Sequence, residues 1–127
     1  MDPINVLQAD VLKTLASPRR LEIIHRLAEG PCEVTRLAAE LGMSQPNVSQ
    51  HLAVMRSAGV VERERDGREV IYRLSDPDIV VACGLMRSVL QRRLSRLADL
   101  SAEHPADDRP ASEPRRESVL EPALEAR

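Results

Sequence analysis

The sequence has no tryptophan, no phenylalanine and one tyrosine, Tyr72, among its 127 residues. Any hydrophobic core must therefore consist of Leu, Val, Ile, Ala and Met, which bury less surface per residue than aromatic rings do. A chain of this length is one domain's worth, and its small core gains from further burial between two subunits. The missing aromatic residues thus predict a single aliphatic domain that associates with a second copy.

Long apolar runs are also missing, and the N-terminal segment MDPINVLQAD is not a signal peptide. The two cysteines lie far apart and do not form a disulfide framework. We therefore expect a cytoplasmic protein with reduced thiols and no membrane partner. The sequence also lacks a glycine loop that cradles phosphate and a nucleophile beside a paired acid and base, so it predicts no enzyme.

Acidic residues are concentrated near the C-terminus, although the net charge is only −2. Residues 103–127 hold seven acidic residues and four arginines, which leaves residues 1–102 with 14 basic and 13 acidic side chains. The overall charge therefore neither supports nor excludes a DNA partner. The same segment has four prolines and few apolar residues, a composition typical of disorder. We expect one domain at residues 1–100 and a disordered tail at residues 101–127.

Five segments have apolar residues at helical spacing, and capping residues mark their ends. The predicted helices are Ile4–Leu15, a second from Ser17-Pro18 to Gly30-Pro31, a third from Val34 to Leu41 before Gly42, a fourth from Ser44 to Ala58 before Gly59, and a last that starts at Asp76-Pro77. The last helix has an apolar seam at intervals of three or four residues, which is typical of a packed helix.

A hairpin signal follows the fourth helix. The stretch VVERERDGREVIYRL contains Asp66-Gly67 between β-branched ends. A two-residue turn at this dipeptide pairs Arg65 with Arg68, and counting outward assigns one face to Val61, Arg63, Arg65, Arg68, Val70 and Tyr72. The order of elements predicts a mainly α protein with a small β-hairpin: a winged helix-turn-helix of five helices and a two-stranded wing.

The fourth helix carries unusual polar residues within GMSQPNVSQHLAVM. A helical wheel turns Val48, Leu52 and Met55 inward and leaves amide and hydroxyl side chains outside. Side-chain amides can bond adenine in pairs in the major groove, and arginines at a hairpin tip can enter a minor groove. The competing interpretation is that these residues simply solvate a surface helix. His51 points inward on the same wheel, and we expect it to have a core or capping role.

Three segments, LASPRRLEIIHRL, LAAELGMSQPNVSQHLAVMRSAGVV and RDGREVIYRL, resemble the ArsR/SmtB family of bacterial winged-helix repressors. The resemblance covers about Val11 to Leu97. It implies a homodimer built from the first and last helices, which binds an inverted-repeat operator in double-stranded DNA and leaves it when an inducer binds. The candidate DNA-binding residues are Ser44, Gln45, Asn47, Ser49, Gln50, Arg56, Arg63, Arg65 and Arg68. The candidate dimer interface is Ile4, Leu7, Val11, Cys83, Met86, Leu90, Leu94 and Leu97.

The metal sites common in that family are absent from this sequence. Glu33 and Thr35 stand where the arsenic-type site has its two cysteines. The zinc-type site needs histidines along the last helix, and none occurs between His51 and His104. We therefore predict no metal site and no cofactor.

Cys32 and Cys83 are the remaining candidates for a sensing site. Oxidation or another modification of these thiols would change the dimer geometry and release DNA. The alternatives are that both cysteines are small buried hydrophobes, or that both bind a metal or metalloid, for which two soft ligands are few. Two further functions stay open: a constitutive repressor without cysteine-based sensing, and a winged-helix module that binds a protein partner.

Overall fold

The computed structural model describes residues 1–103. Its elements are α1 (Pro3–Leu15), α2 (Pro18–Leu27), β1 (Cys32–Glu33), α3 (Val34–Leu41), α4 (Gln45–Ser57), β2 (Val61–Asp66), β3 (Glu69–Leu74) and α5 (Asp78–Glu103). The five helices and a hairpin occur in the predicted order, although α2 ends at Leu27, before the predicted stop. Residues 101–103 form the end of α5, and the rest of the predicted tail, including His104, lies outside the described residues.

Glycines follow the ends of α3 and α4. Gly42, with φ of 64°, follows α3, and the Met43 N–H donates to the Ala38 carbonyl at 3.0 Å. Gly59, with φ of 78°, follows α4, where an equivalent bond of 2.9 Å closes the helix. Side chains other than glycine rarely adopt this left-handed conformation. The two glycines therefore set the tight turn that leads into α4 and the turn that leads out to β2.

The sheet has three strands rather than the predicted two. All its pairs are antiparallel and the strand order is β1-β3-β2. In the added strand Cys32 pairs with Tyr72, and Glu33 pairs with Ile71. A strand of two residues is too short to show an alternating pattern, so the sequence could not reveal it.

The register of the hairpin also differs from the prediction. Asp66 pairs with Glu69 and Arg65 pairs with Val70, so the turn residues are Gly67 and Arg68. Gly67 has φ of 61°, while Arg68 keeps a negative φ. This is the pattern of a type II′ turn, which takes glycine first, whereas the predicted turn would need a positive φ at Asp66. The predicted Arg65–Arg68 pair is therefore wrong, and Arg68 lies in the turn.

The core is aliphatic, as predicted, with one aromatic ring. Its buried apolar residues are Ile23, Ile24, Leu27, Cys32, Val34, Leu37, Ala38, Val48, Leu52, Met55, Val60, Val61 and Tyr72. Val48, Leu52 and Met55 have no exposed surface, which confirms the predicted inner side of α4. Since each large aliphatic side chain contributes about 1.5–3 kcal/mol when buried, these three hold α4 firmly against the core.

Residues 1–88 form one compact unit, and a second unit begins at Val89. In the first unit, α1 exposes apolar side chains that include Ile4 and Leu7. In the second, the described part of α5 exposes Val89, Leu90, Leu94, Leu97 and Leu100. In each unit, exposed large apolar side chains in such numbers are typical of an interaction surface. None of the helices within residues 1–103 is long and apolar enough to cross a membrane.

Replacement of Leu52 by alanine tests how strongly the core holds α4. We expect Leu52→Ala to lower the free energy of unfolding by about 2–5 kcal/mol, because the side chain has no exposed surface and its removal leaves a cavity. Urea unfolding at one fixed protein concentration measures this change. Val54→Ala is the matched control on the same helix, because Val54 is 40% exposed. Equal losses in the two variants would contradict the inward orientation of Leu52.

Candidate nucleic-acid interface

The outer side of α4 carries a polar rim, which we define as Ser44, Gln45, Asn47, Ser49 and Gln50. Its residues are exposed except for Ser49, which is half-buried. Ser44 is the N-cap of the helix, and its hydroxyl oxygen accepts a hydrogen bond from the Asn47 N–H at 3.3 Å. The amide groups of Gln45, Asn47 and Gln50 form no hydrogen bond with any described residue, so they are free to bond a partner.

A groove of about 250 Å³ separates α4 from the hairpin. Its lining includes part of the polar rim, two arginines and the ring of Tyr72: Val34, Gln45, Ser49, Ala53, Arg56, Arg63, Val70 and Tyr72. A neighbouring groove of about 490 Å³ shares Arg56 and Arg63, and Glu62 and Arg73 at the base of the hairpin also line it. Two guanidinium groups from different elements therefore face the same concave surface.

The hairpin separates its charges between two faces. On one face, Arg73 forms salt bridges with Glu62 at 3.4 Å and Glu64 at 3.0 Å. Arg63 and Arg65 lie on the opposite face of the alternating strand and form no salt bridge with any described residue. The same holds for Arg56 on α4 and Arg68 in the turn, within residues 1–103. Glu62 and Glu64 thus neutralise Arg73, and the groove between α4 and the hairpin is lined by two arginines and, among the described residues, by no acidic residue.

The sequence grouped Arg63, Arg65 and Arg68 at the hairpin tip. Only Arg68 occupies the turn, whereas Arg63 pairs with Tyr72 near the base and lines the groove beside α4. The groove was not predicted from the sequence, because it forms between α4 and hairpin residues that are distant in the chain. Alternation of residues along the strands did assign Arg63, Val70 and Tyr72 to one face correctly.

His51 lies on the flank of α4 and is half-buried. Its Nδ1 atom accepts a hydrogen bond from Arg20 Nε at 3.1 Å. Burial of the ring, followed by the positive charges of Arg20 and Arg19, lowers the pKa of His51 below its ordinary value of 6.5. The shift favours the neutral ring, which the acceptor role of Nδ1 also requires. Its bond to Arg20 was not foreseen, because an arginine in the first turn of a helix is usually solvated.

The two candidate sensing cysteines have different surroundings. Cys32 is buried, and its Sγ donates to the Glu33 carbonyl at 3.5 Å. Burial raises the pKa of the Cys32 thiol, and the charge of Arg26 opposes the shift without cancelling it. Cys83 is half-buried on α5 and packs against the edge of the core. Both thiols are free of disulfides. Within residues 1–103, no three His, Cys, Asp or Glu side chains gather to hold a metal ion.

The candidate dimer residues are mostly exposed. On α1, Ile4 and Leu7 are exposed and Val11 is half-buried against the core. On α5, Cys83 is half-buried, while the other four are more than half exposed: Met86, Leu90, Leu94 and Leu97. An apolar helix surface of this kind is costly to leave in water.

Comparison with known proteins identifies the family. The family model of bacterial regulatory proteins of the arsR family matches residues 17–63, from the start of α2 to the first residues of β2. An uncharacterized HTH-type transcriptional regulator of Mycobacterium tuberculosis, Rv0081, is 41% identical over 95 residues, which cover 74% of this chain and 83% of that protein. The transcriptional repressor SmtB of the same organism is 46% identical over 76 residues, 58% of this chain and 56% of that protein.

Solved structures agree with these sequence matches. The crystal structure of Mycobacterium tuberculosis Rv0081 superposes with a TM-score of 0.69 at 39% identity, covering 77% of this chain and 99% of that one. A homodimeric winged helix-turn-helix DNA-binding domain from Mycobacterium bovis, described as a possible ArsR-family regulator, superposes with a TM-score of 0.68 at 32% identity, covering 73% of this chain and 86% of that one. The chain therefore belongs to the ArsR family of bacterial transcriptional regulators and has that family's winged helix-turn-helix DNA-binding fold.

Proposed function

We propose that this protein is a dimeric transcriptional repressor that binds an inverted-repeat operator through α4 and the hairpin, and that an inducer releases it. The observation that carries the proposal is the groove where the polar rim meets Arg56 and Arg63, two arginines without an ion pair among the described residues. Uncompensated guanidinium groups beside hydrogen-bonding side chains suit a polyanion whose bases are to be read. Such a regulator acts in the cytoplasm, where bacterial DNA lies, and needs no cofactor.

The polar rim supplies the groups for base recognition. An α-helix fits the major groove of B-DNA, where Asn47 and Gln50 can each bond adenine through two hydrogen bonds. Gln45 and Ser49 line the groove and extend the same surface toward the hairpin. Ser44 and the N-terminal amides of α4 suit a backbone phosphate.

The arginines of α4 and the hairpin supply the contacts that do not depend on sequence. Arg56 and Arg63 project into one groove, where a DNA backbone running between α4 and the hairpin would meet both. Arg65 and Arg68 lie farther along the hairpin and suit an adjacent minor groove. Phosphate contacts of this kind fix the position of the protein, while the polar rim selects the sequence.

Dimerisation explains the exposed apolar residues of α1 and α5. Ile4 and Leu7 on α1 are about 60% exposed, and the exposed leucines of α5 include Leu90 and Leu94. A homodimer through these helices buries apolar surface that the small aliphatic core leaves uncovered. It also presents two copies of α4 to two half-sites, as an inverted repeat requires.

The identity of the inducer is a separate question from DNA binding. A thiol switch at Cys32 and Cys83 stays a prediction, and the buried, protonated state of Cys32 disfavours direct reaction of that thiol in the folded protein. A constitutive repressor is the second candidate, and it is favoured by this same shielding of Cys32. A protein-binding role is less well supported, because the exposed side of α4 is mainly polar.

Exchange of one arginine on each hairpin face tests the proposal. We expect Arg63→Gln to weaken binding to specific and random DNA alike and to reduce the slope of log affinity against log salt by about 1. Arg73→Gln is the matched control, because it removes the same charge from a side chain that pairs with Glu62 and Glu64 and does not line the groove between α4 and the hairpin. Fluorescence anisotropy across a salt series gives both slopes. The same slope change in both variants would count against a DNA-facing groove.

A charge on the apolar seam of α5 tests the dimer. We expect Leu90→Asp to give monomers in analytical ultracentrifugation and to reduce operator affinity by about 100-fold or more, because the two half-sites are no longer bound together. Ser95→Asp adds the same charge to another side of the helix, about 140° away, and should leave the dimer intact. A monomeric Leu90→Asp protein with full operator affinity would show that binding does not require two subunits on two half-sites.

Alkylation kinetics test the shielding of Cys32. Because burial and a raised pKa both reduce the thiolate available for reaction, we expect N-ethylmaleimide to label Cys32 at least about tenfold more slowly in the folded protein than in denaturant at the same pH. Mass spectrometry of the peptide that contains Cys32 follows the reaction. Equal rates in the two conditions would show that the thiol is accessible, and Cys32 would then be a candidate sensing residue.

A further inference from the structure

Arg20 connects two helices with different proposed tasks. Its Nη1 atom donates to the Thr14 carbonyl in the last turn of α1 at 3.0 Å, and its Nε atom donates to His51 Nδ1 on α4 at 3.1 Å. The guanidinium group holds its donors in a rigid plane, so two bonds in fixed directions also fix the positions of their acceptors. The α1 end and the side of α4 are thereby tied to the start of α2.

The α1 end of this connection is itself firmly held. Thr14 is polar and buried, and its hydroxyl donates to the Asp10 carbonyl at 3.0 Å. The Thr14 carbonyl is one of the last four of α1, which have no partner within the helix, so Arg20 satisfies a group that would otherwise be unpaired. A positive charge at this helix end is also favourable.

The α4 end of the connection depends on a proton. His51 Nδ1 accepts a hydrogen bond only in the neutral ring, with the proton on Nε2, because both nitrogens of the cation are donors. The charges that act on His51 are those of Arg20 and Arg19 on α2, and none from α1, α3 or β2, which also pack on α4, is among them. A protonated His51 would thus be repelled by the charge of Arg20 and by that of Arg19, which pairs with Glu22.

We infer that Arg20 is a positioning residue that holds α4 in its DNA-binding orientation relative to α1, and that it does so only while His51 is neutral. The inference rests on the proposed function, in which α1 belongs to the dimer interface and α4 reads the operator. No atom of Arg20 needs to touch DNA. It sets the geometry of each reading helix within the dimer, and hence the fit of two helices to two half-sites.

The pH dependence has a defined direction. The pKa of His51 in the folded protein lies below the ordinary value of 6.5, so the unfolded chain binds a proton more readily. The contribution of the neutral ring is therefore fully present above pH 6.5 and is lost as the pH falls through the lower folded value. Specific DNA binding should weaken as the pH falls through that folded-state pKa, because protonation removes the acceptor from Arg20.

The experiment uses the full chain and a duplex that the wild-type protein enriches from a random pool. Four proteins are compared at about pH 8 and at a pH below the folded-state pKa of His51, which NMR titration of its ring locates first. They are the wild type, Arg20→Met, His51→Asn and the control Arg19→Gln. The amide oxygen of His51→Asn stands near the position of Nδ1 and accepts at either pH. Arg19→Gln removes a neighbouring charge that pairs with Glu22 and bonds neither helix.

We expect the wild type to lose about tenfold or more in specific affinity at the lower pH, and His51→Asn to change little. Arg20→Met should show a similar loss at both pH values, with binding to random DNA no weaker than that of Arg19→Gln. Thermal unfolding and sedimentation of each variant confirm that it is folded and dimeric. Should Arg20→Met fail to fold, the difference in pH dependence between the wild type and His51→Asn still tests the inference.

Three outcomes would overturn the inference: a wild-type affinity that does not change with pH, one that rises as the pH falls, or equal effects of Arg20→Met and Arg19→Gln. Failure to enrich any duplex is a different result, because it would refute sequence-specific DNA binding and with it the proposed function. Enrichment followed by any of the three outcomes would leave the repressor proposal intact and remove only the role of Arg20.

Discussion

The complete burial of Val48, Leu52 and Met55 is the constraint on which the rest of the structure depends. These three residues form one side of α4 and have no exposed surface. Because a helix turns through about 100° per residue, burial of that side forces Asn47 and Gln50 outward. The core that accepts α4 is aliphatic apart from Tyr72, and its cohesion comes from close packing of many small side chains rather than from a few large rings. The interior of the protein thus determines what its surface presents.

The alternation of side chains along the hairpin separates its acidic residues from two of its arginines. Acidic and basic residues alternate along VERERD, and their charges would nearly cancel if they shared one face. The alternation of a strand assigns Glu62 and Glu64 to the side of Arg73, while Arg63 and Arg65 take the other. A hairpin with little net charge can therefore keep one strongly basic face. The base of that face closes against α4, so the groove combines positive charge with hydrogen-bonding groups.

The exposed apolar residues and the hydrogen bonds of Arg20 are connected through the proposed dimer. A domain with so small a core leaves apolar residues of α1 and α5 in water, and the proposed dimer would remove that cost. If α1 forms part of the dimer interface, the orientation of α4 relative to α1 affects DNA binding, because both copies of α4 must fit one duplex. Arg20 is the side chain that bonds both helices, and a neutral His51 completes the connection.

Local features of the sequence determined the helices, their capping residues, the inner side of α4 and the face of the hairpin that carries Arg63 and Arg65. Each of these follows from periodicity or from the backbone preferences of Gly, Pro and Ser, which act over a few neighbouring residues. The tertiary structure decided the third strand at Cys32–Glu33, the turn at Gly67-Arg68, the groove that joins Arg56 to Arg63, and the Arg20–His51 bond. These features join residues that are distant in the chain or depend on a one-residue choice of turn. Only the packing of the whole chain fixes such distances, so no local pattern could predict them.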